Sequence, residues 1–157
     1  MSKAPRDTVV VDANVVIAIC SKEAITYPKA EHAFRSYARR AWDFCAPNIV
    51  VAEVLYVLCR KVADGVLTNG EHDLCVKAFE EIMTNVITPG GGDSTLISRA
   101  VEIRASYGCS RMSDSIFLAY AEKLTVDRKV ELLTLDTGMI NHAAKCTPTV
   151  SVNLLTI

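Results

Sequence analysis

The sequence is short of charge of either sign: 17 Lys and Arg stand against 18 Asp and Glu, a formal net charge of -1 at pH 7. That excludes a protein-wide positive field for gathering polyanions, so any nucleic acid has to be held by a local basic patch or a bound cation. Also missing are a C-x-x-C pair and a histidine closely spaced to a cysteine. Cys20, Cys45, Cys59, Cys75, Cys109 and Cys146 stand singly among apolar residues, which argues against zinc and for buried, reduced thiols. His32, His72 and His142 have no mutual spacing of a catalytic or metal-binding kind and are read as structural or surface residues. No apolar stretch reaches the ~18 charge-free residues of a membrane span, and the polar start from Met1 to Asp7 leaves no room for the apolar part of an export signal. Together these absences predict a protein of the reducing cytoplasm. Internal repeats and low-complexity tracts are absent too.

What is present is enough apolar material for one core: half of the 157 residues are hydrophobic, which suits a single domain over 1–157. Thr8 to Val11 is a β-branched run that predicts a buried strand, followed by a helix from Ala13 to Cys20. Helical spacing of apolar residues predicts an amphipathic helix from Pro28 to Phe44. A largely buried helix follows from Asn48 to Ala63, then another from about Gly70 to Met83 started by Thr68 or Asn69. Asn85 to Thr88 is a short strand candidate, and Pro89-Gly90-Gly91-Gly92 a loop. Asp93 is placed to cap a helix reaching about Ser106, with Gly108 ending it, and Ser113 to cap the next helix as far as Leu124. Val130 to Leu135 and Thr149 to Leu154 supply the last strands. Strands separated by helices predict an α/β fold, three layers deep, with a mostly parallel central sheet whose ligands bind at the carboxyl ends of the strands.

Four acids stand out against this pattern. Asp12 and Asp136 each close an apolar strand, so in one parallel sheet both carboxylates reach the same rim. Glu53 has Ile49, Val50, Tyr56 and Val57 as its helical neighbours, which puts a carboxylate on an apolar face. A buried carboxylate costs roughly several kcal/mol unless it is neutralised, paired or bound to metal, so Glu53 needs a partner; an arginine such as Arg111 is one choice. Asp114 lies in the first turn of a helix, where it either serves the helix dipole or joins that same rim. Carboxylates crowded together raise one another's pKa unless a cation intervenes. Oxygen-only ligands favour Mg²⁺ or Mn²⁺, which can activate water and orient a phosphodiester.

The segments Val11-Asp12-Ala13-Asn14, Val51-Ala52-Glu53-Val54-Leu55, Ser113-Asp114-Ser115-Ile116-Phe117-Leu118-Ala119 and Leu133-Thr134-Leu135-Asp136, in this order over nearly the whole chain, resemble the PIN domain, most of all the small stand-alone VapC-like toxins. The resemblance implies a Mg²⁺- or Mn²⁺-dependent endoribonuclease acting on structured RNA such as tRNA or rRNA, dimeric and silenced by a protein antitoxin. It also implies that Asp12, Glu53, Asp114 and Asp136 are the catalytic, metal-binding acids, supported by Asn14, Ser113 and Thr134. Ser115, where alanine is common, and Met139, where an aromatic is frequent, depart from the usual pattern without removing a ligand. PIN domains also serve in RNA processing, so a role without toxicity is a second expectation.

Arg111, Arg60 and Lys61 are the cations nearest these acids in sequence and are candidate RNA contacts, with Arg39 and Arg40 behind them. Tyr107 and Trp42 are aromatic residues able to stack on bases, although helical spacing favours a core role. An idle PIN-like binding module would have no need to keep Glu53 on an apolar face. A haloacid-dehalogenase-like phosphatase would want a second Asp two residues after Asp12, where Asn14 stands. A receiver-like signalling domain would want a paired Lys that has no counterpart here.

Overall fold

In the computed structural model, which describes residues 4–106 and 108–157, the β-branched run Thr8–Val11 forms strand β1 with every residue buried. A strand covered on both faces has to be central, and β1 is flanked in parallel by β2 (Asp43–Cys45) on one side and by a later strand on the other. With β3 (Val86–Ile87), β4 (Val130–Thr134) and β5 (Ser151–Leu154) the sheet order is β3-β2-β1-β4-β5, and every pairing is parallel. Among the described residues seven α-helices connect the strands: α1 (Ala13–Cys20), α2 (Tyr27–Arg39), α3 (Ile49–Ala63), α4 (Asn69–Met83), α5 (Ile97–Arg104), α6 (Met112–Leu124) and α7 (Gly138–Cys146).

Successive strands step from β1 toward β3, and the chain then returns to β4 on the far side of β1. With the right-handed crossovers that parallel sheets adopt, α1 to α4 lie on one face and α5 to α7 on the other. The contacts agree, since α1 packs against α2, α3 and α4 while α5 packs against α6. This is the expected three-layer α/β arrangement, and its strand order reverses between β1 and β4. The register there pairs Val11 with Leu133 and leaves Asp12 and Asp136 just beyond the carboxyl ends of neighbouring strands.

Local physics corrects several expectations. The helix expected from Pro28 to Phe44 stops at Arg39, because Ala41 turns into the left-handed region (φ 55°) and the next residues extend into β2. Asp93 caps a helix, but not its own: its two carboxylate oxygens accept from the backbone N–H groups of Asn48 (2.7 Å) and Ile49 (2.8 Å) and so cap α3 from across the fold. Its own segment begins as a 3₁₀ turn, Asp93–Leu96, before α5. Ser113 lies inside the first turn of α6, which starts at Met112 after a second 3₁₀ turn, Cys109–Arg111. Helix α7 has no counterpart in the sequence reading. Thr68 starts α4 as expected, through a reciprocal pair of bonds with Glu71.

Cys20, Cys45 and Cys75 are buried and Cys146 partly so, whereas Cys59 and Cys109 are exposed, against the expectation for all six. Trp42 belongs to the core, its ring against Tyr37 with Arg40 stacked 4.6 Å from its centroid. Tyr107, the other aromatic considered for base stacking, lies outside the described residues. Among the described residues no helix is long and apolar enough to cross a membrane.

Candidate active site

Asp12 occupies the N-cap position of α1 but makes no capping hydrogen bond; its side chain turns instead toward β4. Thr134 Oγ donates to Asp12 Oδ2 at 2.7 Å, and Asn14 Nδ2 lies 3.2 Å from the same oxygen. The Thr134 hydroxyl in turn accepts from the Asp136 backbone N–H at 3.0 Å and sits 3.3 Å from Asn14 Nδ2. One donated hydrogen and two filled lone pairs exhaust what a hydroxyl can do. Asn14 closes the network by accepting from the Leu135 N–H at 3.1 Å. Asn14 and Thr134 thus hold Asp12 in one orientation and bring the start of the Asp136 loop up against it.

The remaining acids arrive from the other layers. Glu53 lies one turn into α3, whose first N–H groups Asp93 fixes, and its Oε2 is buried with no hydrogen-bond partner. Asp114 stands in the first turn of α6. Asp136 Oδ1 accepts from the Gly138 N–H at 2.8 Å. Arg111 ties two of these acids together, its Nη1 2.9 Å from both Asp114 Oδ2 and Asp136 Oδ2.

Electrostatics couple the members of the group. Asp12 is only 7% exposed, and burial first, with the charges of Asp114 and Glu53 adding to it against the Thr134 hydrogen bond, lifts its pKa from 3.8 to about 7. Burial also raises Glu53; the Ser113 hydroxyl, aimed at it, pulls the other way and Asp114 pushes it further up. Asp12, Glu53 and Asp114 therefore feel one another, and Arg111 joins Asp136 to them. All four acids of the sequence reading meet at the β1/β4 switch point, together with Asn14, Ser113 and Thr134.

The two other cations read as RNA contacts have carboxylate partners: Arg60 bonds Asp64 at 3.1 Å and Lys61 bonds Glu23 at 2.8 Å. His142, left by the sequence reading among structural or surface residues, is fully buried on the inner face of α7 with Met139 and Ala143. Burial lowers its pKa below the ordinary 6.5, with Asp114 pulling it up and Arg111 pushing it down, which places the imidazole behind the acids. No spacing in the sequence links His142 to Asp114 or Arg111; only the fold does.

The donor set fits a hard divalent cation. It is all oxygen, it contains a buried carboxylate oxygen without a partner, and its deepest acid, Asp12, is raised first by burial and then by the charges of Asp114 and Glu53. Yet among the described residues no three acidic, imidazole or thiol side chains are already gathered at metal-ligand spacing. The cation that the structure does hold between two of the acids is Arg111.

A doubly wound parallel α/β domain with carboxylates at its switch point is the class that fold and site define. The family model of the PIN domain matches residues 9–145, and the chain belongs to the PIN-domain family. No curated protein sequence matches it. Solved structures agree on the fold. VapBC2 from Rickettsia felis, solved bound to a DNA fragment from its promoter, superposes with a TM-score of 0.61 at 10% identity, covering 94% of this chain and 98% of that one. FitAcB from Neisseria gonorrhoeae gives a TM-score of 0.59 at 16% identity over 92% and 96% of the two chains. PAE2754 from Pyrobaculum aerophilum gives 0.53 at 13% identity over 92% and 83%.

Proposed function

We propose that this PIN domain is a Mg²⁺- or Mn²⁺-dependent endoribonuclease and the toxin of a toxin-antitoxin pair. The observation that carries the reading is Glu53: a half-buried carboxylate on α3, one oxygen fully buried without a partner, set against Asp12 and Asp114. Such an arrangement lowers stability unless a cation completes it. Asp12, Glu53, Asp114 and Asp136 would hold the ion, and when bound it would supply an activated water and charge stabilisation at the phosphate.

The chain's own residues contribute the rest. Thr134 and Asn14 fix the Asp12 carboxylate, the Gly138 N–H orients Asp136, and the β1 and β4 side chains beneath keep water from the buried side of the site. Arg111 is the candidate RNA contact at the acids themselves. An antitoxin partner and a homodimer are part of the same proposal. VapBC2 and FitAcB offer the likeness in fold, and α3 carries exposed Val51, Leu55 and Tyr56 as apolar surface for a partner chain.

Purified protein freed of any bound partner should cut labelled RNA into discrete fragments with Mg²⁺ or Mn²⁺ and not with EDTA. Asp12→Asn and Asp114→Asn, each still folded, should lower the rate by more than about 100-fold, since even residues that merely support a metal site change activity by about 10–100-fold. Turnover of a phosphate monoester without RNA cutting would point to a phosphatase instead. RNA retention without metal-dependent products would leave a binding module.

A further inference from the structure

The place of Arg111 carries a consequence for how the ion enters. Its Nη1 donates to Asp114 Oδ2 and Asp136 Oδ2, both at 2.9 Å, and Asp136 Oδ1 is already taken by the Gly138 N–H. Both Asp136 oxygens are therefore engaged, one by backbone and one by a guanidinium. Room for the guanidinium comes from Gly138. A methyl group there would stand 2.3 Å from one terminal nitrogen of Arg111 and 2.7 Å from the other, well inside contact distance. Glycine is not demanded by the backbone, because Gly138 has no left-handed φ and opens α7, where glycine is a poor helix former. The space for Arg111 is what its missing side chain provides.

We propose that Arg111 is a resident counter-ion of the metal site, held between Asp114 and Asp136 by the gap at Gly138, and that it competes with a divalent ion, which binds by turning it out. The inference rests on the reading of the four acids as a metal site. Arg111 takes one lone pair on each Oδ2 at 2.9 Å and sets a positive charge beside both acids, so an incoming divalent ion is repelled while the guanidinium stays and held more tightly once it leaves. Once displaced, the guanidinium remains at the mouth of the site on the turn that precedes α6, where a phosphate would arrive. Arg111 is thus a positioning residue that weakens ion binding in the free protein and becomes available to RNA when the ion is present.

Calorimetric titration with Mn²⁺ of wild type, Arg111→Ala, Gly138→Ala and the double variant tests this without any cleavage assay. Arg111→Ala should bind Mn²⁺ about tenfold more tightly or better, the scale of one charge-assisted hydrogen bond no longer broken. Gly138→Ala, which keeps the charge but pushes it aside, should also tighten binding, and should add nothing once Arg111 is gone. Metal-free Arg111→Ala should melt below wild type, while the two Mn²⁺-saturated proteins should not differ in that direction. RNA cleavage by Arg111→Ala at saturating Mn²⁺ should fall even as its affinity for the ion rises. Equal Mn²⁺ affinity in wild type and Arg111→Ala, or a Gly138→Ala effect that persists without Arg111, would overturn the inference alone. Absence of Mn²⁺ binding in all four proteins would overturn the metal site and the inference together.

Discussion

A single carboxylate shows how the fold trades stability for a site. Asp12 titrates near 7 in the folded chain against an ordinary 3.8, so between those values the folded state keeps a proton that the unfolded chain has released. Stability from this group is fully present below about pH 4 and is lost as the pH rises through about 7. Metal-free wild type should therefore lose thermal stability across that window, and Asp12→Asn should remove this share of the slope and be the more stable protein at neutral pH. Melting curves in EDTA from acid to mildly alkaline pH decide it; parallel profiles for the two proteins would contradict the assignment. The sequence already marked Asp12 as an acid at a strand end. Its burial was not legible there, because it depends on β4, whose Thr134 hydroxyl lies more than a hundred residues away and is brought alongside only by the β1/β4 register.

At the level of elements, the site depends on where three helices begin. Helix α3 carries Glu53, and its start is fixed by Asp93 from the loop after β3, whose carboxylate accepts two backbone N–H groups. Asp93→Ala should cost about 1 kcal/mol, within the ~0.5–2 kcal/mol range of cap removals, measured as the shift in urea unfolding. RNA cleavage should fall with it as the first turn of α3 frays; unchanged stability would show that the cap does not hold α3. Most elements were legible because their periodicity was strong, as in the all-buried β1 and the capped α4. Strand β2 was hidden because Phe44 continues the helical spacing of α2, and only the left-handed turn at Ala41 ends that helix. Asp93 read as a local cap because sequence spacing sees the following helix and cannot see α3. Helix α7 escaped because it is short, and its buried face of Met139, His142 and Ala143 is apolar at only two of three positions.

Across the whole molecule, topology does what local sequence cannot. The chain's near-zero net charge offers no general attraction for RNA. What it offers is one switch point where β1, α3, α6 and the loop after β4 deliver four acids and one arginine. The order of the acids was readable from the sequence and so was the family it resembles; the resident arginine and the buried His142 were not, since each is defined by what it faces. Whether these acids hold a divalent ion is tested most directly by anomalous diffraction from crystals soaked in Mn²⁺. A metal site there should give an anomalous peak among Asp12, Glu53, Asp114 and Asp136, lost in Asp12→Asn together with Asp114→Asn, with Arg111 turned away from its two carboxylates. A well-ordered site without such a peak, or a peak only at other side chains, would contradict it.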